Sequence, residues 1–116
     1  MDGFLNVLKP PGLTSHDVVE HIRKMTGVKA GHGGTLDPGA AGVLPVLLGK
    51  ATKMSSYLVD FSKTYRAELF LGLSTDTADA SGKIIKTASS FNFSLKDVEK
   101  VLHSFEGEIM QIPPMF

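Results

Sequence analysis

Residues 31–48, GHGGTLDPGAAGVLPVLL, join a loop full of hinges to a segment that must be buried. Glycines at 31, 33, 34, 39 and 42 allow backbone angles and close approaches that other residues resist. Val43–Leu48 is a short apolar run of strand length. Pro45 within it has no N–H to donate, which predicts an edge strand or a bulge. Asp37, the one carboxylate of this loop, is therefore expected on a flexible approach with a rigid support behind it.

The flanking segments supply the rest of a small α+β domain. GFLNVLK, residues 3–9, suits a first strand stopped by Pro10-Pro11-Gly12. Thr14 with Asp17 three residues on is a capping-box signature. Val18, Val19, Ile22 and Met25 follow at helical spacing and Gly27 offers a C-cap, which predicts a helix over about 15–26. A second helix is expected over Lys50–Leu58. TYRAELFLG, residues 64–72, alternates with Tyr65, Ala67, Leu69 and Leu71 on one side, which predicts a strand with Tyr65 facing inward. TDTADASG is turn chemistry, KIIK a further strand, and Ser94 with Asp97 caps a third helix closed by Gly107. Helices mixed with hairpin-like strands argue for α+β over strict βαβ alternation.

Composition removes several classes of function. With 116 residues the chain has room for one small domain. It has no cysteine, which excludes disulfides and thiolate metal sites. No apolar run is long enough to cross a bilayer as a helix, and the N-terminus lacks the pattern of a signal peptide, so a soluble cytoplasmic protein is expected. Formal net charge is zero, but residues 1–66 carry eight basic and five acidic side chains, and the remainder four basic and seven acidic. The basic half suits a polyanion only weakly.

Taken singly, the candidate site residues have ordinary explanations. The glycine cluster fails both the dinucleotide and the Walker patterns, because Leu36 takes the third glycine position of the first and Ala51 follows Lys50 in the second. Asp76 and Asp79 lack the spacing of a calcium loop. Asp37 before proline suits a turn opener, His32 a solvated loop residue, and Tyr65 a core aromatic.

The combination is more specific. GHGGTLDPGAAGVLPVLLGKATK, followed by KTYRAELFLGLSTDTADASG, resembles the tRNA pseudouridine synthase B family, whose members isomerise the T-loop uridine of tRNA. VLKPPGLTSHDVV resembles that family's lysine-proline motif, and EIMQIPPMF its glutamine-proline-proline stretch. The resemblance therefore runs in order along nearly the whole chain. It implies a pseudouridine-synthase-like mixed, largely antiparallel sheet flanked by helices, of which residues 1–116 form the N-terminal part of the catalytic domain. Asp37 then corresponds to the catalytic nucleophile. Tyr65 corresponds to the tyrosine that stacks on the uracil and helps remove its C5 proton. His32 corresponds to the histidine that enters the RNA loop. Lys9 and Pro10 support the pocket, Gly33, Gly34 and Leu36 adjoin the RNA, and Lys63 and Arg66 are phosphate contacts together with Lys29, Lys50 and Lys53. No cofactor and no metal is implied, and the partner is the tRNA T-arm stem-loop.

This sequence departs from the family in length. The later segment that supplies an arginine opposite the catalytic aspartate is absent. The 116-residue chain alone is therefore expected to have little or no synthase activity and to self-associate through an exposed apolar edge, and the apolar end at Met115 and Phe116 implies a missing partner segment. The competing readings are an RNA-binding or tRNA-folding module without catalysis and the RNA-guided branch of the same superfamily. A glycosidase with paired carboxylates is a further one, against which no second acid sits in a comparably constrained loop.

Overall fold

The computed structural model describes residues 1–115 and divides into two compact units, Met1–Tyr65 and a second from Arg66 onward, where composition suggests one. The first unit is organised around β1 (Gly3–Lys9), α1 (Ser15–Thr26), β2 (Ala30–His32), β3 (Gly42–Leu48), a 3-10 helix (Gly49–Met54) and α2 (Ser55–Val59). The three strands are antiparallel in the order β1-β3-β2.

The register explains the burial. On one face Leu44, Val46 and Leu48 are buried with Val18 and Val19 of α1, and Val7, Ile22, Val28, Ala30 and Leu36 close around them. Helix α1 forms as its capping box predicts: the Thr14 hydroxyl accepts from the Asp17 N–H at 3.0 Å, and the Asp17 carboxylate accepts from the Thr14 N–H at 2.8 Å. It ends at Gly27, whose φ of 70° is the left-handed cap conformation. On the other face Leu47 is fully buried and pairs in register with Gly31. A Cβ on Gly31 would meet Thr52 at 3.9 Å, and one on Gly33 would run into Leu58. A glycine in β2 and another just after it thus let the 3-10 helix and α2 lie close to the sheet.

Two expectations for this unit need correction. Lys50–Leu58 is a 3-10 helix running into a short α-helix, not one α-helix. Pro45 lies in the central strand, not at an edge. Its carbonyl accepts from the Gly33 N–H at 2.9 Å just where β2 stops, so the donor that proline lacks faces the end of the ladder.

The second unit pairs β4 (Leu73–Thr75) with β5 (Ile84–Thr87) and adds α3 (Leu95–His103). The connecting turn is held locally: Asp79 accepts from Thr77 and Ser81, and Asp76 from the Lys83 N–H. Helix α3 has the expected Ser94–Asp97 capping box but ends at Ser104, ahead of Gly107. The strand expected over residues 64–72 is absent, and β4 begins only at Leu73. Alternation fixes which face of a strand would be covered, but a strand needs a neighbour to pair with. No described residue from Arg66 onward is buried. Phe116, expected as an apolar end, lies outside the described residues.

Candidate active site

Asp37 lies in the loop between β2 and β3, and the peptides on either side of it are anchored to different elements. Before it, the Leu36 N–H donates to the Ser15 hydroxyl at 2.9 Å, and that hydroxyl donates to the Leu36 carbonyl at 3.0 Å. The Leu36 side chain packs against the core of the first unit. After it, the Pro38 carbonyl accepts from the Gly12 N–H at 2.7 Å and from the Lys9 ammonium at 3.2 Å. Asp37 itself closes a turn, its carbonyl accepting from the Ala40 N–H at 3.0 Å. Its side chain is exposed, and none of the ion pairs among the described residues involves it. The result is an open carboxylate on a backbone tied at both shoulders.

The PPG turn makes the second tie possible. Gly12 has a φ of 92°, a region closed to most side chains, and this turns its N–H toward Pro38. Lys9, the last residue of β1, is fully buried, and its ammonium donates to the carbonyls of Pro10 at 2.9 Å, Leu13 at 2.6 Å and Pro38 at 3.2 Å. An ammonium has three donors, and all three are engaged. Lys9 is thus a brace beneath the loop and not a contact for RNA phosphate. Pro10 contributes a carbonyl to that brace while its ring is exposed.

The glycines differ in their surroundings. Gly33 is buried against Leu58, so packing by itself gives a reason for its missing side chain. Leu36 faces the core. Gly34 is more open, with a Cβ there meeting only the Lys63 Cε at 3.6 Å. The Lys63 ammonium donates to the Val59 and Phe61 carbonyls at 2.9 and 3.0 Å, closing off the end of α2. His32 ends β2 half-buried, and its Nδ1 has no hydrogen-bond partner despite being shielded. Tyr65 is on no strand and its ring is 65% exposed, against the inward position that alternation implies. Arg66, also exposed, belongs to the second unit. The structure thus brings two sets of ties to either side of Asp37, Ser15 on Leu36 before it and Lys9 with Gly12 on Pro38 after it, while Gly33 and Gly34 lie beside Leu58 and Lys63.

Ser15 is the residue that sequence reasoning missed. Ser15, Val18, Val19 and Ile22 share the i, i+3, i+4, i+7 spacing of one helix face, and Ser15 is the polar member of that apolar stripe. A polar residue at a core-facing position is a signal that something across the interface must bond it. Among the described residues no group of three His, Asp or Glu side chains is placed to hold a metal ion.

The model for the TruB family pseudouridylate synthase (N terminal domain) matches residues 22–116. The chain belongs to that family. Curated TruB relatives include the tRNA pseudouridine synthase B of Caldanaerobacter subterraneus subsp. tengcongensis, 58% identical over all of this chain and 41% of that protein. That of Clostridioides difficile strain 630 is 50% identical over all of this chain and 39% of that protein. The chain thus spans about two fifths of the length of these relatives. Among solved structures, the fold resembles a chain of a Cbf5-Nop10-Gar1 complex, with a TM-score of 0.65 and 34% identity over 97% of this chain and 29% of that one. It also resembles a chain of an H/ACA RNP bound to a substrate RNA containing 2'-deoxyuridine, with a TM-score of 0.63 and 36% identity over 94% and 29%. The α+β architecture with antiparallel sheets agrees with these pseudouridine synthase neighbours.

Proposed function

We propose that the protein converts uridine to pseudouridine in the T-loop of tRNA, with Asp37 as the nucleophile and no cofactor. One observation carries the assignment of Asp37. It is an exposed carboxylate whose neighbours on both sides are tied to buried groups, while its carboxylate oxygens accept no hydrogen bond among the described residues. Asp37 opens a turn through its carbonyl, but its carboxylate does not bond the backbone of that turn as the carboxylate of Asp79 does. The choice of tRNA over a guide-dependent target follows the relatives: over nearly the whole chain, identity is 50% or more with proteins named tRNA pseudouridine synthase B and 34–36% with the two solved structures described above.

The reaction is an isomerisation that requires no outside oxidant or reductant. The bond between uracil N1 and ribose C1′ breaks, the base turns in place, C5 bonds to C1′, the C5 proton leaves and N1 gains one. Asp37 serves by forming an adduct with the sugar or the base, or by taking a ribose proton, and each route uses a free carboxylate. The target nucleotide must first leave its stack, at roughly a few kcal/mol. An exposed Tyr65 ring offers a stacking surface worth about 1–3 kcal/mol to an extruded base. His32, half-buried with an unpartnered Nδ1, is the candidate to fill the vacated space. Exposed Lys29, Lys50, Lys53 and Arg66 contact phosphates, and recognition is of loop shape and splayed bases.

The test is Asp37→Asn in the full-length protein, with a T-arm stem-loop tritiated at uracil C5. Loss of tritium release while RNA binding is retained supports the assignment. Continued release would refute it. The alternative of an RNA-binding module without catalysis predicts no release from the unsubstituted protein either.

A further inference from the structure

We infer that Ser15 is a positioning residue for Asp37, an inference that rests on the reading of Asp37 as the nucleophile. Ser15 is the first residue of α1 and only 3% exposed. It is not needed for the cap, since Thr14 already accepts from the Asp17 N–H. Its hydroxyl is instead used twice on a single residue 21 positions away, accepting from the Leu36 N–H and donating to the Leu36 carbonyl. That is the double bond pattern one strand residue makes with its partner in an antiparallel sheet. Here a side chain makes it, at a point where the chain has left β2 and has no neighbouring strand.

The consequence for residue 37 is geometric. Leu36 is held at its N–H, its carbonyl and its side chain. Pro38 has its φ set by its ring, restricts the residue before it, and is held at its carbonyl. Asp37 is left with little backbone freedom between two fixed peptides, so its carboxylate sweeps a small arc. On the N-terminal side of that pair Ser15 supplies both hydrogen bonds, and the Leu36 side chain adds packing. Alanine at 15 leaves both Leu36 groups without their partner, and the carboxylate then moves with a loop held at that shoulder by packing alone. A displacement of about 1 Å at a reacting group lowers the rate by about 100-fold.

The experiment compares Ser15→Ala, Ser15→Thr and Ser15→Cys in the full-length protein with Leu47→Val, a buried substitution on the opposite face of the sheet. Steady-state kinetics on a T-arm stem-loop, thermal stability and amide hydrogen exchange at Leu36 are read for each. The expected result is a kcat about 100-fold lower in Ser15→Ala with KM unchanged, together with faster exchange at Leu36. Threonine, which keeps the hydroxyl, restores much of kcat. Leu47→Val loses stability without that fall in kcat. If Ser15→Ala does not fold, Ser15→Cys, which keeps a weak donor and acceptor, carries the comparison and is expected to lie between alanine and serine. The proposal is overturned if Ser15→Ala retains full kcat while Asp37→Asn is inactive, or if its loss of kcat only tracks stability as in Leu47→Val. An active Asp37→Asn would instead bring down the nucleophile assignment, and this inference with it.

Discussion

Replacing Gly33 by alanine tests whether the glycines beside Asp37 serve the fold or the ligand. The backbone of Gly33 is outside the left-handed region, so alanine is tolerated there in principle. The obstacle is space. The added Cβ would lie 3.0 Å from the Leu58 Cβ and 3.3 Å from its Cγ, with the Leu58 Cδ1 closer still. Overpacking of this kind costs about 1–3 kcal/mol. Two effects pull the value toward the lower end. Helix α2 has only five residues and can shift, and alanine restricts the unfolded chain, returning about 0.4–1 kcal/mol. The net expectation is a destabilisation of about 1 kcal/mol. Leu58→Ala alone removes a half-buried side chain and costs about 1–2 kcal/mol, below the range for full burial. In the double variant the obstruction is gone, so the two costs fall short of their sum by about 1 kcal/mol. Urea unfolding followed by circular dichroism measures all three. Gly34→Ala is the control: its Cβ meets only a flexible lysine at ordinary distance, so stability stays within about 0.5 kcal/mol. Additive costs in the double variant, or a Gly33→Ala as stable as the parent, would show that Leu58 does not dictate glycine at 33.

Two further predictions concern the helix ends. The hydroxyl and N–H of Thr14 hold the Asp17 carboxyl below its ordinary value, as the N–H and hydroxyl of Ser94 do for Asp97. A carboxyl depressed in the folded state stabilises above its unfolded value, about 3.9, and that contribution disappears as pH falls through the folded value. Thermal midpoints should therefore drop on acidification below about pH 4, and Asp17→Asn should shallow that drop. At Gly27, φ is 70° and a Cβ would meet nothing within 4 Å, so Gly27→Ala carries the backbone penalty alone. A loss of about 1 kcal/mol in thermal or urea unfolding is expected, with asparagine milder.

Legibility in the sequence tracked how local each interaction is. Both capping boxes, the Gly27 cap and the polar turn at residues 75–82 were legible because donors and acceptors lie within a few residues of each other. Motif order was legible too, and pointed to the family the comparisons support. How Lys9 supports the loop was not legible, for the opposite reason. A lysine at a strand end looks solvated until a carbonyl 29 residues away is seen to accept from it. Tyr65 was placed inward by alternation, which marks faces but supplies no partner strand.

The chain by itself determined where α1 and α3 begin, that β3 is an apolar run and which loop carries the carboxylate, because each depends on neighbours along the backbone. Only the tertiary structure decided that Gly33 is small for Leu58, that Pro45 sits in the middle strand, and that Ser15 and Lys9 hold the peptides around Asp37. Those pairings join residues far apart in sequence. A hydrogen bond or a steric limit between such residues exists only once the sheet and α1 have brought them to within a few ångströms.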